Sequence, residues 1–127
     1  MREFLWRAAS AACLLLVAAY SLGSGRMSVV RVTGGSMYPA LQAGDVCVVL
    51  STTQVEPRDV VLLEPPGHAS RVLHRVCSVE ASWLVTQGDA NPVPDFDPLP
   101  RDAVLGRVAF VVPVGRAVGS LATHLDR

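Results

Sequence analysis

The chain has 127 residues, enough for one modest domain, and half of them are apolar while only 17% are charged. Basic and acidic residues cancel at eleven each, which argues against nucleic-acid binding because that function needs a basic excess. Every basic residue is an arginine. Arginine stays protonated in proteins, so a serine–lysine catalytic pair is excluded.

The first predicted element is an apolar helix at residues 8–25, which contain no charge. Its length is near the lower limit for a membrane span and also fits a cleaved secretory signal. Flanking charge does not decide between them, because Arg2 and Arg7 are matched by Arg26 and Arg31. We expect a cytoplasmic head and membrane anchor over residues 1–25, with the cleaved signal as the alternative, and an extracytoplasmic β-rich domain over residues 26–127.

Beyond Met27 the sequence changes to short valine-rich runs separated by Gly, Pro and Asp turns. Such runs are typical of a small, mostly antiparallel β-domain. Because several runs are continuously apolar, we expect strands covered on both faces, as in a coiled sheet. Residues 90–100 are predicted to form an irregular loop, and residues 111–125 a strand end and a short amphipathic helix. The predicted strands are 29–33, 46–50, 60–63, 72–79, 83–86 and 104–112.

A candidate nucleophile lies in the turn Gly34-Gly35-Ser36-Met37-Tyr38-Pro39. The two glycines allow backbone angles and close approaches that a side chain would forbid, and Pro39 stiffens the far side of the turn. We therefore expect the Ser36 hydroxyl to be presented and not buried. Taken alone, the same residues describe an ordinary surface turn.

Ser36 needs a base, and the chain contains three histidines. His124 lies near the C-terminus and His68 lies in a Pro-Gly turn, whereas His74 lies inside a predicted strand. Neighbouring residues of a strand can fix the orientation of the imidazole. A histidine in a strand is more often structural. His74 is a candidate base only because the chain also has a candidate nucleophile, Ser36.

The loop after residue 86 offers two acids, Asp89 and Asp95, that can orient the imidazole. Asp and Asn are also common turn formers in such a Gly- and Pro-rich loop, so a structural role stays open for Asp89. Serine, histidine and aspartate together supply a nucleophile, a general base and an orienting acid. The order of these three along a chain is not fixed by the chemistry.

The chain resembles type I signal peptidases in four boxes that occur in the family's order. The resemblance is in particular to the endoplasmic-reticulum-type branch, in which a histidine stands where the commoner bacterial enzymes have a lysine base. It extends over most of residues 29–113. The boxes are Ser36-Met37-Tyr38-Pro39, Gly44-Asp45-Val46, His74-Arg75-Val76, and Gly88-Asp89-Ala90-Asn91 with Asp95 beyond it.

This resemblance implies a single-pass, membrane-anchored serine endopeptidase that cleaves signal peptides from exported preproteins on the outer face of the membrane. It implies an N-terminus in the cytoplasm and a catalytic β-domain of coiled antiparallel sheets close to the lipid. The partners would be preproteins and membrane lipid, with no cofactor, no metal and no nucleic acid. Two alternatives stay open: a catalytically silent, anchored β-domain that binds a partner, and a maturation protease dedicated to a few clients.

The resemblance also implies roles for individual residues. Many relatives carry a serine two positions before the nucleophile where this chain has Gly34, so the oxyanion would be bound by backbone N–H groups. Arg58 stands where a glycine is expected before the third strand. The implied roles are nucleophile for Ser36, general base for His74, third member for Asp95, supporting acid for Asp89, oxyanion donors for Gly34, Gly35 and Ser36, and substrate contacts for Met37 and Pro39.

Substrate is expected to lie as an added strand beside residues 29–33 and the His74 strand, because main-chain pairing accepts many sequences. The family implies pockets for small side chains next to the scissile bond. The cysteines show no metal-ligand spacing. Cys47 and Cys77 are expected to be core thiols, with a bridge between them as the lesser alternative.

Overall fold

The computed structural model describes residues 1–95 and 97–118, so His124 and the end of the predicted amphipathic helix lie outside the described residues. One helix is followed by strands that alternate with turns. The elements are α1 (Arg2–Gly23), β1 (Met27–Arg31), β2 (Val46–Leu50), β3 (Val60–Leu63), β4 (Val72–Val79), β5 (Trp83–Gln87), β6 (Leu99–Pro100), a short 3₁₀ helix (Arg101–Ala103) and β7 (Val104–Val112). Residues 114–118 are helical.

Helix α1 forms where alanine and leucine, both strong helix formers, dominate the sequence. Within the described part of the chain, no helix combines the length and apolar character needed to cross a bilayer, so the predicted transmembrane anchor is not supported. The connection from α1 to β1 is fixed by Ser51 at the end of β2. Its hydroxyl donates to the Gly25 carbonyl and its N–H to the Arg26 carbonyl, each at 2.9 Å.

The described strands form one antiparallel sheet in the order β1-β2-β7-β3-β4-β5-β6. The mostly β, antiparallel fold is therefore confirmed, and β2, β3, β4 and β7 have the predicted bounds. Strand β6 was not predicted. It lies at the end of the stretch predicted to be an irregular loop, where Leu99 and Pro100 pair with the start of β5.

The apolar core consists of two clusters that meet at β3, near the middle of the sheet. Leu62 belongs to the first cluster, whereas Val61 and Leu63 belong to the second, because successive side chains of a strand point to opposite faces. Strand β3 is thus covered on both faces, as expected. The expectation is wrong for β1, where Val29 is 54% exposed, and for the end of β7, where Phe110 is 61% exposed.

The bend before β3 is made by Arg58, which has a φ of 81° in the left-handed region where glycine was expected. The contacts of its backbone hold it there. Its N–H donates to the Val76 carbonyl at 2.9 Å, and its carbonyl accepts from the Arg75 guanidinium at 2.8 Å. An arginine therefore replaces the expected glycine without loss of the bend.

The cysteines are all free thiols, so the alternative of a Cys47–Cys77 bridge is not realised. Cys47 is buried within β2, in agreement with its predicted role as a core thiol. Cys77 is exposed in β4, so the same prediction is wrong for Cys77.

Strands β7 and β2 approach each other closely at Gly106. A Cβ at this position would collide with the Leu50 carbonyl oxygen and would lie 2.7 Å from the side chain of Val49. Glycine is therefore required here to keep the two strands paired.

We predict that Gly106→Ala lowers the free energy of unfolding by about 1–3 kcal/mol, because the added methyl group must separate two paired strands. Urea unfolding followed by circular dichroism measures this change. Gly23→Ala is the matched control, since a Cβ at Gly23 meets no atom within 4 Å. Equal stabilities of the two variants would contradict the prediction.

Candidate active site

His74 lies in β4, where it pairs with Val61 of β3, and its ring is held by Asp95. The distance from His74 Nδ1 to Asp95 Oδ2 is 2.7 Å, and the His74 side chain is only 12% exposed. A carboxylate accepts hydrogen bonds, so Nδ1 carries the proton of the neutral imidazole. The other ring nitrogen, Nε2, therefore keeps a free lone pair and has the tautomeric form of a general base.

Asp95 is itself fixed by Thr86 of β5. The Thr86 hydroxyl donates to Asp95 Oδ2 at 2.6 Å, and the Asp95 N–H donates to the Thr86 carbonyl at 2.8 Å. Sequence reasoning missed this residue. The signal was a hydroxyl at a core-facing position, two residues after the buried Leu84, because a buried polar group needs a partner.

Asp89 pairs with Arg75 and not with His74. The Arg75 guanidinium donates through Nε and Nη2 to the two carboxylate oxygens at 2.8 and 2.7 Å. This hydrogen bonding holds the pKa of Asp89 below its ordinary value of 3.8 and raises that of Arg75. Of the two candidate acids, Asp95 therefore contacts the imidazole.

The backbone of Ser36 lies against the loop that carries both acids. Its carbonyl accepts a hydrogen bond from the Ala90 N–H at 2.8 Å, and a Cβ added at Gly88 would lie 2.6 Å from the same oxygen. Gly88 is therefore the glycine that allows this close approach. Ser36 is half-buried, and among the described side chains its hydroxyl makes no hydrogen bond to His74.

Gly34 and Gly35 do not have the conformational role predicted for them. Neither has a positive φ, and a Cβ added at either position would meet no atom within 4 Å. The space beside both glycines is therefore open. The backbone N–H groups of Gly34, Gly35 and Ser36 donate no hydrogen bond to another described residue, so all three remain available to an acceptor.

Two clefts lie beside these residues. A cleft of about 220 Å³ adjoins Ser36, and its apolar walls include Val30, Met37, Leu62 and Leu73. Met37 is buried in the first core cluster, whereas Pro39 is exposed and does not line this cleft.

A larger cleft of about 560 Å³ adjoins His74 and Asp95. It is also lined by His68 and by prolines of the flanking loops.

The cysteines in the sheet do not compete with Ser36 as nucleophiles. Burial raises the pKa of the Cys47 thiol, and partial desolvation together with the nearby Asp95 raises that of the more exposed Cys77. Both thiols therefore keep their protons near neutral pH. No cluster of three or more His, Cys, Asp or Glu residues within the described ranges is arranged to hold a metal ion.

Comparison with known proteins gives a family and several curated relatives. The family model described as Peptidase S24-like matches residues 12–108, about three quarters of the chain. The "Signal peptidase complex catalytic subunit SEC11" of Lodderomyces elongisporus is 34% identical over 73 residues, which are 54% of this chain and 44% of the relative. The protein of the same name from Candida albicans is 32% identical over 80 residues, 59% and 48% of the two chains. The chain thus spans less than half the length of these relatives.

We predict that Asp89→Asn lowers the free energy of unfolding by about 0.5–1 kcal/mol at pH 7, a small amount because solvent screens the partly exposed Arg75. The folded-state pKa of Asp89 is depressed, so the ion pair stabilises the fold above the unfolded-state pKa and loses this effect as the pH falls through the folded-state value. The difference from wild type should therefore begin to shrink as the pH falls below 3.8 and vanish below the depressed folded-state pKa.

Urea unfolding of both proteins between pH 7 and pH 3 measures this effect. Asp97→Asn, at an exposed position of the same loop, is the control. A difference between wild type and Asp89→Asn that stays constant over this pH range would contradict the prediction.

Proposed function

This chain belongs to the Peptidase S24-like family, with its resemblance to the endoplasmic-reticulum-type signal peptidases, and on that premise we propose that it is a serine endopeptidase that cleaves signal peptides from exported preproteins. The observation that carries the proposal is the Asp95–His74 hydrogen bond, which leaves Nε2 as a base. The loop that supplies Asp95 also binds the backbone of Ser36. A nucleophile, a base and an orienting acid are thus gathered around one loop.

In the first step, His74 Nε2 takes the proton of the Ser36 hydroxyl while Oγ attacks the scissile carbonyl carbon. The imidazolium that forms is stabilised by Asp95, which is fixed by its hydrogen bond from Thr86. Substrate binding brings the hydroxyl and the imidazole together, since catalytic hydrogen bonds commonly shorten only in the complex.

The tetrahedral intermediate carries a negative oxygen that needs donors. The N–H groups of Gly34, Gly35 and Ser36, which donate to no other described residue, supply them. Collapse of the intermediate breaks the C–N bond, and His74 returns its proton to the leaving amine. Water then attacks the acyl-enzyme with His74 again as the base, which releases the acid product and restores the Ser36 hydroxyl.

The acyl side of the substrate lies in the cleft beside Ser36. The cleft measures about 220 Å³ and its apolar walls include core residues, so it favours small apolar side chains next to the scissile bond. Val30 of β1 and Leu73 of β4 both line it, which agrees with an extended substrate placed between these strands. The relatives named as catalytic subunits of a signal peptidase complex support the same substrate class.

We predict that Ser36→Ala and His74→Ala each lower the cleavage rate of a signal-peptide-bearing preprotein by about a thousandfold or more, because each removes a member of one reacting unit. The assay uses purified full-length protein in detergent and measures kcat and KM. Circular dichroism of each variant verifies that the sheet is retained. Substantial activity in either folded variant would contradict the assignment, and an inactive wild type would favour a silent binding domain.

The two acids should differ in effect. Asp95→Asn removes the carboxylate that holds His74 Nδ1–H, whereas Asp89→Asn removes only the partner of Arg75. We therefore expect the larger loss of kcat in Asp95→Asn, by at least about tenfold relative to Asp89→Asn, in the same cleavage assay. The reverse order would transfer the orienting role to Asp89.

A further inference from the structure

A carboxylate with no exposed surface lies on the far side of the Ser36 turn. Asp45 precedes β2, and its side chain is 0% exposed. Its Oδ2 accepts from the Gln42 N–H and its Oδ1 from the Gly115 N–H, each at 3.0 Å. A buried carboxylate needs such compensation, so Asp45 fixes the segment after β7 against the turn that follows Ser36.

Arg116 extends this connection to the turn itself. Its Nε lies 3.7 Å from Asp45 Oδ2, and its Nη2 donates to the Ala40 carbonyl at 2.6 Å and, more weakly, to the Pro39 carbonyl at 3.4 Å. These carbonyls belong to the residues three and four positions after Ser36. One guanidinium therefore joins the buried acid to the backbone that continues from the nucleophile.

The backbones on the two sides are in direct contact. A Cβ added at Gly115 would collide with the Ala43 carbonyl oxygen and would lie 2.9 Å from the Asp45 nitrogen. Glycine at this position thus lets the segment after β7 lie flat against the turn before β2. The contact has little freedom to shift without movement of the turn.

The Ser36 turn is internally closed, so a constraint at one end reaches the other. The Tyr38 N–H donates to the Gly35 carbonyl at 3.1 Å, and the Leu41 N–H donates to the Met37 carbonyl at 2.9 Å. The Ala90 N–H holds the turn at the Ser36 carbonyl, and Arg116 holds it at the Ala40 carbonyl.

We propose that Arg116, anchored by Asp45, is a positioning residue that sets the place of the Ser36 hydroxyl relative to His74. The catalytic part of this inference rests on the proposed function. The His74 ring is fixed by Asp95, so catalysis depends on where the turn holds the hydroxyl. A displacement of about 1 Å at such a site costs up to about a hundredfold in rate.

The test compares Arg116→Met with Arg101→Met. Arg101 is a matched control because its guanidinium also donates to two backbone carbonyls, those of Glu80 at 3.1 Å and Thr53 at 3.2 Å. Neither carbonyl belongs to the Ser36 turn. Amide hydrogen exchange is measured at Tyr38 and Leu41. Preprotein cleavage is measured as separate kcat and KM values.

We expect Arg116→Met to speed exchange at Tyr38 and Leu41 and to lower kcat by about tenfold or more with KM changed less than about twofold. Arg101→Met should change neither quantity. Arg116→Lys keeps a cation near Asp45 but lacks the planar guanidinium. It should therefore speed exchange and lower kcat by less than Arg116→Met does. If Arg116→Met does not fold, Arg116→Lys takes its place in the test.

Unchanged exchange at both amides in a folded Arg116 variant would overturn the inference, as would a kcat loss no greater than that of Arg101→Met. The exchange measurement needs no enzymatic activity. If the wild-type protein cleaves no preprotein, the proposed function fails, while faster exchange in Arg116→Met still establishes the clamp on the turn.

Discussion

The candidate site depends on the alternation of side chains along β4. Neighbouring residues of a strand point to opposite faces, so His74 and Arg75 cannot share a partner. The loop after β5 carries acids for both, and Asp95 takes the imidazole while Asp89 takes the guanidinium. The two pairs lock this loop onto β4, and the same loop binds the backbone of Ser36. Its position therefore decides whether the three candidate residues meet.

Much of the sheet could be predicted from local sequence, because valine-rich runs between turn residues specify extended structure wherever they occur. Four strands have their predicted bounds, and the resemblance to endoplasmic-reticulum-type signal peptidases is confirmed. Strand β6 was missed because two residues, one of them proline, are too few to show a pattern. The covering of both faces was correct for β3 but not for β1 or the end of β7, since what lies on each face depends on packing that a run of valines does not encode.

The site was predicted in its residue types but not in its pairing. Local composition could not decide between Asp89 and Asp95, because the choice follows from which face of β4 each acid reaches. It could not show that Thr86 holds Asp95, that Gly88 and not Gly34 permits the close approach at Ser36, or that Arg116 reaches Ala40 across 76 residues. These are contacts between distant parts of the chain, and only the folded sheet brings them together.

Some residues that line the cleft beside Ser36 also belong to the packed core. Met37 and Leu62 line the cleft and belong to the first core cluster, where each is only 2% exposed. Truncating either side chain to widen the cleft would leave a cavity in the core and lower the free energy of unfolding by about 2–5 kcal/mol. This is a large share of the stability of a small domain. The width of this cleft is thus coupled to the stability of the fold. A variant with a wider cleft would first need added stability elsewhere in the sheet.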